Sequence, residues 1–356
     1  MSFIRILLFP ITLIYGFVIA IRNYCYDQNW IKSRSFDLPI ISVGNIAVGG
    51  SGKTPMADYL IRLLKKDYEL ALLSRGYGRK KSGFLIVQED CSSDEIGDEP
   101  LQYKLNHSDI LVAVSENRVK GVEQIKDQVK VIILDDAYQH RAIKPGFSIL
   151  LFDYNSVFKK DYFLPSGNLR EPISNLNRAD IIVVTKTDKF FSPMERRRVE
   201  AKLPIRNNQK VFYSYIKYGE LKILGHKNSE TVFTLADIDK KTRIILFTGI
   251  AHPKTLHNFL SEKTKLITHF AFSDHHNYSM RNLNKIKAGF EKETETKKII
   301  ITTEKDAMRL LGDKYKKFLE EYSVYYLPIQ AEMNEHDKTQ FDTLLKKYVA
   351  TNTAHY

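Results

Sequence analysis

The 356-residue sequence contains only two cysteines, Cys25 and Cys91, and one tryptophan. Two isolated cysteines supply neither the paired spacing of a zinc site nor a disulfide framework, so the fold depends on neither and a reducing compartment is indicated. Internal repeats and low-complexity tracts are absent as well. No clear small-residue cleavage site follows the apolar N-terminus, and a removed signal peptide is therefore not expected.

Acidic residues are outnumbered by basic ones, 42 to 54, which leaves a formal net charge of +12. This excess indicates an anionic partner: a nucleotide, a phosphorylated substrate, an acidic membrane surface or a nucleic acid. Charge alone does not choose among them. The hydrophobic content of 43% and the charged content of 27% are typical of a folded protein, and the length suffices for two domains.

Residues 3–21 form a long apolar stretch that is interrupted by Pro10 and Gly16 and followed by basic residues. A helix that spans a bilayer needs about 20 apolar residues, so this stretch is marginal for a span. It could cross the membrane once, lie in the membrane interface, or pack on the protein as an ordinary helix. Because a nucleotide site lies just downstream, we expect a peripheral attachment on the cytosolic side of a membrane.

The nucleotide site is indicated by residues 39–66, where an apolar run breaks into glycines and continues with apolar residues at helical spacing. Glycines allow backbone N–H groups to surround nucleotide phosphates, while Lys53 reaches the β- and γ-phosphates and the Thr54 hydroxyl binds Mg²⁺. Ala47 stands where the usual pattern has glycine. The loop expected to contact ATP consists of Ala47, Val48, Gly49, Gly50, Ser51, Gly52, Lys53 and Thr54.

Charged residues follow further apolar strands in the first half of the chain. Asp135 and Asp136 come directly after the run at 129–134, and acids at the end of a buried strand beyond a phosphate loop typically hold Mg²⁺. Arg75 and Arg170 follow other strands. Because the carboxyl ends of parallel strands meet at one edge of a sheet, we expect these side chains to share one site.

The alternation of strands and helices predicts an α/β protein: a P-loop NTPase-like parallel sheet with helices on both faces, a smaller C-terminal α/β domain and an apolar N-terminal helix. Residues 211–216 and 220–224 read as an antiparallel hairpin, and the end of the chain reads as frayed. The expected divisions are a membrane-associated segment at 1–36, the nucleotide-binding domain at 37–210, a hairpin linker at 211–236, the smaller domain at 237–346 and a tail at 347–356.

Two further clusters carry possible acid–base chemistry. Residues 94–100 (DEIGDEP) open a predicted helix, where carboxylates usually act as caps, so the residues alone do not favour catalysis over capping. Asp274, His275 and His276 follow a strand of the second half, where structural and functional roles are equally compatible with the pattern.

Seven ordered motifs over residues 1–346 resemble those of the tetraacyldisaccharide 4'-kinases of lipid A synthesis: VGNIAVGGSGKTP, SRGYGR, GDEP, DDAYQHR, LPSGNLREP, DHH with Tyr278, and TTEKDAMRL. The resemblance implies transfer of the γ-phosphoryl group of ATP to the 4'-hydroxyl of a tetraacylated disaccharide 1-phosphate, giving lipid IVA. It also implies Mg²⁺ dependence, a peripheral position on the cytosolic face of the inner membrane, and a cleft between a larger and a smaller domain. No nucleic acid and no obligate protein partner is expected.

The resemblance assigns roles to individual residues. Asp98 of GDEP is the implied base that accepts the hydroxyl proton, His275 supports it, and the neighbouring acids Glu99 and Asp94 are expected to make Asp98 more basic. Asp135 and Asp136 are the implied Mg²⁺ ligands together with Thr54. The residues implied to neutralise phosphate charge are Lys53, Thr54, Arg75, Arg118 and Arg170, and those implied to line the nucleotide site are Tyr77 and Glu99.

Two alternatives stay open at this stage. Residues 185–188 (TKTD) resemble the guanine-recognition signature of GTPases, which favours a membrane-associated GTPase. Against it, the strand that ends at Asp135 continues D-A-Y, without the glycine that a γ-phosphate switch requires. A nucleic-acid-binding ATPase would account for the positive charge, but it explains neither the apolar stretch at 3–21 nor the lack of interleaved aromatic and basic residues.

Overall fold

A computed structural model describes residues 5, 7–207, 209–224 and 233–353. The buried apolar runs of the first half form strands of one sheet, as their alternation with helices predicts. With two strands from later in the chain, this sheet has nine strands in the order β14-β8-β7-β6-β1-β5-β2-β4-β3. Its strands are β1 (Ile40–Asn45), β2 (Leu70–Ser74), β3 (Leu85–Ile86), β4 (Leu111–Val114), β5 (Val131–Asp135), β6 (Phe147–Asp153), β7 (Ile181–Thr185), β8 (Lys210–Tyr218) and β14 (Ile329–Met333).

The inner strands of this sheet are parallel, and only its edge strands β3 and β14 run antiparallel to their neighbours. β1, β2, β5 and β7 are buried along their whole length, because helices cover both faces. The helices of this large lobe are α1 (Phe9–Asp27), α2 (Lys53–Leu64), α3 (Ser93–Ile96), α4 (Asp98–Asn106), α5 (Arg118–Ile125), α6 (Tyr154–Val157) and α7 (Pro193–Glu200).

A second sheet of five strands, in the order β11-β10-β12-β13-β9, forms the core of a small lobe. Four of its strands are parallel and β9 is antiparallel at the edge. Its strands are β9 (Lys222–Leu224), β10 (Arg243–Thr248), β11 (Ile267–Ala271), β12 (Lys298–Thr303) and β13 (Val324–Leu327). Its helices are α8 (Pro253–Ser261), α9 (Met280–Lys292), α10 (Glu304–Arg309) and α11 (Lys316–Glu321), and α12 (Glu335–Thr353) returns to the large lobe.

The predicted hairpin of residues 211–216 and 220–224 is wrong. β8 pairs with β7 and β14 of the large sheet, whereas β9 pairs with β13 of the small sheet. The chain therefore crosses between the lobes at residues 219–221, and it crosses back at Pro328 between β13 and β14. The residues between the two predicted strands form this crossing and not a hairpin turn, because each strand pairs with a strand that is distant in the sequence. Residues 225–232 of the predicted linker lie outside the described residues.

The last residues of the predicted tail continue α12 as far as Thr353, so residues 347–353 are not frayed. Phe341, Leu345 and Val349 are buried at a spacing of four, and the Phe341 ring packs edge-on against Phe212 of β8. This apolar stripe fixes the helix on the sheet. Residues 354–356 lie outside the described residues.

Helix α1 accounts for most of the apolar N-terminal stretch, of which residues 1–4 and 6 lie outside the described residues. Thr12 and Asn23 face the protein and are buried, while the apolar side chains face outward. The exposed set is Phe9, Ile11, Leu13, Ile14, Phe17, Val18, Ile21 and Tyr24. Within the described ranges, no helix reaches the length and apolarity that crossing a membrane requires.

Candidate functional site

The glycine-rich segment forms a loop between the end of β1 and the start of α2. Gly49 and Gly52 have φ values of 106° and 84°, in the left-handed region that favours glycine over other residues. Gly52 precedes the first residue of α2, and Lys53 and Thr54 start that helix. The N–H groups at a helix N-terminus have no partner within the helix and can bind phosphate. The predicted strand–loop–helix arrangement of a phosphate loop is confirmed.

Neighbouring segments hold this loop in place. The Asn45 amide donates to Ser51 Oγ at 2.7 Å, and the Thr185 hydroxyl donates to the backbone oxygen of Ser51 at 2.8 Å. The backbone N–H of Val48 donates to the carbonyl of Asn168, again at 2.7 Å. The loop is therefore fixed from β7 and from the LPSGNLREP segment before any nucleotide binds. Thr185 of the TKTD sequence thus contributes to the phosphate loop itself.

Lys53, Asp136 and Arg170 form one charged cluster beside the loop. Lys53 Nζ lies 3.6 Å from Asp136 Oδ1, and Arg170 donates to both carboxylate oxygens of Asp136 at 3.0 and 3.1 Å. Burial opposes ionisation of Asp136, but the two cations hold its pKa below the ordinary value. From the sequence, Lys53 and Arg170 are expected to contact phosphate and Asp136 is expected to bind Mg²⁺. In the structure, these three side chains lie in one cluster.

Asp135 ends β5 and is only 5% exposed. Burial and the adjacent Asp136 raise its pKa to about 6, and its Oδ1 atom has no hydrogen-bond partner. A buried carboxylate oxygen without a partner is costly unless a cation neutralises it. The residues therefore fit Mg²⁺, which typically takes one or two carboxylates and completes its shell with water and substrate phosphates. The described part of the chain contains no cluster of three or more acidic, histidine or cysteine ligands.

The other two arginines expected to bind phosphate, Arg75 and Arg118, are placed very differently. Arg75 follows β2, is exposed, and makes no hydrogen bond or ion pair with another described residue, so its charge is available to a ligand. Arg118 is 1% exposed and donates to the backbone oxygens of Ser115 at 3.0 Å and Asp135 at 3.1 Å. Burial lowers its pKa to about 10. This position does not support the phosphate contact expected of Arg118, because the guanidinium is already used to support the strand that ends in Asp135.

Asp98 starts α4 and meets His275 of the small lobe. His275 Nδ1 lies 3.5 Å from Asp98 Oδ2, and this contact raises the pKa of His275 above its ordinary value. His275 has a positive φ of 55°, an uncommon conformation for a non-glycine residue. The exposed ring of Tyr77 lies 5.5 Å from the imidazole, centroid to centroid. The two motifs GDEP and DHH, separate in the sequence, thus form one cluster.

The expected effect of neighbouring acids on Asp98 is not supported by their positions. Asp94 pairs with Lys80 at the surface, and Glu99 accepts from Lys305 Nζ at 2.7 Å. Burial opposes ionisation of Glu99, but Lys305 brings its pKa down to about 2. Each acid is therefore neutralised by its own cation. Asp98 in turn accepts from Arg309.

Lys305 and Arg309 are functional candidates that the residue-by-residue prediction missed. Both belong to α10 and to the motif TTEKDAMRL, to which the resemblance assigned no individual residue role. Glu304 of the same helix accepts from Gln102 and Asn106 of α4 at 2.7 and 2.8 Å. Helices α4 and α10 are thus joined across the two lobes. The lobes meet at the residues where the sequence placed the proton acceptor.

The site also receives a small-lobe contact above the phosphate loop. A side-chain carbon added at Gly50 would lie 3.6 Å from His252 Cδ2 and 3.8 Å from Lys186 Nζ. Lys186 donates to Asp153 at 2.7 Å, and its charge is one reason why the pKa of His252 is lowered, after burial. Each lobe therefore places a nitrogen-bearing side chain near the phosphate loop.

Comparisons with known proteins agree with this geometry. The LpxK family profile, described as tetraacyldisaccharide-1-P 4'-kinase, matches residues 4–350. Tetraacyldisaccharide 4'-kinase of Phocaeicola vulgatus is 42% identical over 351 residues, which cover 97% of this chain and 95% of that protein. The enzyme of the same name from Flavobacterium johnsoniae is 41% identical over 358 residues, with 99% of each chain covered.

Among solved structures, LpxK from Aquifex aeolicus in complex with ATP has the same fold. The two structures superpose with a TM-score of 0.72 at 31% sequence identity, covering 97% of this chain and 99% of the other. The match extends over both lobes, which confirms the predicted P-loop NTPase-like sheet with a smaller α/β unit. The relatives are kinases, and the GTPase alternative is not favoured.

Proposed function

This chain belongs to the tetraacyldisaccharide-1-phosphate 4'-kinase family, and from that membership we propose that it transfers the γ-phosphoryl group of ATP to the 4'-hydroxyl of a tetraacylated disaccharide 1-phosphate, giving lipid IVA. The observation that carries the proposal is that the candidate proton acceptor lies close to the candidate metal site. Asp98 contacts His275 of the small lobe, and the next residue, Glu99, lies near enough to Asp135 for its charge to help raise the pKa of that carboxyl.

Asp98 is the proposed acceptor of the sugar hydroxyl proton. It stands at the first position of α4, where the helix dipole stabilises its negative charge, and it faces the small lobe rather than bulk water. His275 contacts the same carboxylate and, with its raised pKa, can carry positive charge beside it. As the sugar oxygen attacks the γ-phosphorus, its proton passes to Asp98 and the bond to ADP breaks. Such proton acceptors typically contribute 10²–10⁴-fold to the rate.

The charge that develops on the transferred group is met by cations already gathered at the loop. Lys53 and Arg170 share Asp136, and Arg75 has no partner among the described residues. When phosphate enters, Lys53 can exchange its contact at 3.6 Å for a phosphate oxygen at little cost. Phosphoryl transfer asks a protein mainly for this kind of positioning and charge neutralisation.

Mg²⁺ is the proposed metal cofactor, with Asp135 and the Thr54 hydroxyl as protein ligands. The partnerless Oδ1 of buried Asp135 supports this assignment. When bound, the ion neutralises negative charge on the phosphates. Asp136 is less suited to direct coordination, because Lys53 and Arg170 already occupy its two oxygens. Its role in the proposal is to hold those two cations.

The acyl chains of the acceptor and the surface of a membrane are the proposed partners of α1. Eight apolar side chains of this helix are exposed, while the opposite face docks on the site. Tyr15 donates to the backbone oxygen of Arg170 at 3.0 Å, and Arg22 donates to that of Gln139 at 2.7 Å. An amphipathic helix of this kind lies in a membrane interface. The net charge of +12 suits an anionic surface, and we place the protein peripherally on the cytosolic face of the inner membrane.

The proposal is tested by incubating the protein with the tetraacylated disaccharide 1-phosphate and either γ-labelled ATP or γ-labelled GTP. Label from ATP should appear in the lipid, and Asp98→Ala should reduce this transfer by a factor on the order of 10² or more while ATP binding is retained. Transfer from GTP alone would identify GTP and not ATP as the phosphoryl donor, and hydrolysis of GTP without transfer would favour the GTPase alternative and reject the kinase assignment. Unchanged turnover in Asp98→Ala would remove Asp98 from the mechanism.

A further inference from the structure

Asp98 is held by a second residue of the small lobe, and this contact is shorter than that of His275. Arg309 Nε donates to Asp98 Oδ2 at 2.7 Å, and the two side chains are 8% and 14% exposed. Arg309 NH2 lies 3.4 Å from His275 Nδ1. A charge-assisted contact of this length is among the stronger hydrogen bonds in proteins. Of the two small-lobe residues, Arg309 therefore makes the stronger contact with Asp98, the proposed proton acceptor.

The guanidinium of Arg309 is itself fixed from behind. Its NH1 group donates to Asp306 Oδ1 at 2.8 Å and to the carbonyl of Gly249 at 2.9 Å. Asp306 is fully buried, and its other oxygen accepts from the Thr303 hydroxyl at 2.6 Å and from the N–H of Gly249 at 2.9 Å. The small lobe thus sets the position and the plane of the guanidinium independently of Asp98.

Both small-lobe contacts of Asp98 go to the same oxygen. Arg309 and His275 approach Oδ2, whereas Oδ1 has no hydrogen-bond or ion-pair partner within the described residues. A carboxylate clamped at one oxygen by a rigid guanidinium cannot rotate freely about its side-chain bonds. Its second oxygen therefore points in one direction and remains free to accept a proton.

We propose that Arg309, oriented by Asp306, is a positioning residue that clamps Asp98 Oδ2 and leaves Oδ1 as the atom that accepts the proton of the acceptor hydroxyl. The inference rests on the proposed kinase function. In the step concerned, the hydroxyl O–H bond breaks, its proton goes to Oδ1, the oxygen bonds to the γ-phosphorus, and the bond to ADP breaks with its electron pair left on ADP. In this proposal Arg309 holds the carboxylate in one orientation until this step and acts through Asp98.

The experiment compares wild type with Arg309→Met, Arg309→Lys and Asp306→Asn in the full-length protein. We expect Arg309→Met to lower kcat by about 10²-fold, the effect of misplacing a catalytic group by about 1 Å, with KM for ATP changed less than about twofold. Arg309→Lys keeps the charge and loses the planar fork, so it should recover about tenfold of the loss in kcat. Asp306→Asn should lie between them.

The matched control is Arg281→Met, which removes an exposed arginine on α9 that has no contact with another described residue; it should behave as wild type. Wild-type kcat in Arg309→Met, or a loss confined to KM for ATP, would overturn the inference. Should Arg309→Met fail to fold, Arg309→Lys decides: a reduced kcat at unchanged melting temperature supports the clamp, and full activity refutes it. Absence of transfer in wild type would instead reject the proposed function itself.

Discussion

Lys305 of the small lobe and Glu99 of the large lobe form an ion pair of 2.7 Å between residues 206 positions apart in the sequence. Burial works against both charges, yet the pair raises the pKa of Lys305 and lowers that of Glu99. The Asp98–Arg309 pair lies one residue away on α4 and four residues away on α10. Two parallel ion pairs therefore join the same two helices, and each takes one member from each lobe.

Removing the cation of the first pair should destabilise the protein. Lys305→Met leaves the mostly buried Glu99 without its partner, and we expect the free energy of unfolding to fall by about 2 kcal/mol. Lys305→Met/Glu99→Gln should recover more than half of this loss, because it leaves no unpaired charge. Urea unfolding measures both values, with Lys292→Met on the exposed face of α9 as the control. Equal stability of Lys305→Met and wild type would show that the pair contributes nothing.

The same pair predicts a loss of stability in acid. The pKa of Glu99 is about 2 in the folded protein against 4.5 for the free side chain, so its ionised form is favoured by folding. The resulting stabilisation is complete above about pH 4.5 and disappears as the pH falls towards 2. Unfolding at pH 5 and at pH 3 should therefore differ more in wild type than in Glu99→Gln. Identical differences in the two proteins would contradict the assignment.

Asp135→Asn tests the proposed metal site. The variant keeps the size of the side chain and removes the charge that Mg²⁺ would neutralise, so we expect transfer to fall by about 10²-fold or more. In wild type, Mg²⁺ with ATP should raise the melting temperature more than ATP with a chelator does, since a bound ligand stabilises the folded state. That difference should vanish in Asp135→Asn and persist in Asp127→Asn, a surface carboxylate. A preserved difference in Asp135→Asn would exclude this residue as a ligand.

Phe17→Ser tests the outward face of α1. Phe17 is 67% exposed, so its replacement should leave the melting temperature unchanged. If the ring inserts into a membrane, its loss should weaken binding to anionic phospholipid vesicles about tenfold or more, since burying such a side chain contributes about 1.5–3 kcal/mol. Sedimentation with vesicles measures the effect, and Met194→Ser, which changes another exposed apolar residue, is the control. Equal sedimentation of Phe17→Ser and wild type would argue against insertion of this face.

The large sheet could be predicted because its strands are encoded locally. The apolar runs at 129–134 and 147–152 are each bounded by charged or turn residues, and they became β5 and β6 with shifts of at most two residues. The hairpin prediction failed where local spacing carried no information about partners. β8 pairs with β14, which lies more than 100 residues later in the chain, and the residues between β8 and β9 give no indication of that pairing.

The site was predictable to the extent that its residues end strands or belong to a motif. Lys53, Asp135 and Arg170 met these conditions, and the structure brings their segments together. Arg309 belongs to a motif as well, but its role could not be predicted, because it depends on a carboxylate 211 residues away in the sequence. The cations beside Asp136 could be predicted because they belong to motifs of the same lobe, whereas those beside Asp98 and Glu99 come from the other lobe and are identified only in the folded structure.

Arg118 provides the sharpest contrast between an expected phosphate ligand and a buried support. Its guanidinium donates to four backbone carbonyls that follow or end β4 and β5, two of them those of Asp135 and Asp136, at 3.1 and 3.4 Å. Arg118→Met leaves these oxygens without a donor, so the free energy of unfolding should fall by about 3 kcal/mol.

Arg75→Met is the matched comparison, because Arg75 is exposed and has no partner among the described residues. It should leave stability unchanged and weaken ATP binding or transfer, whereas Arg118→Met should show its main effect in unfolding. Chemical denaturation and ATP titration of both variants separate the two roles. A stable Arg118→Met with reduced ATP affinity would restore Arg118 as a phosphate ligand, since only direct contact with the nucleotide could then explain the loss.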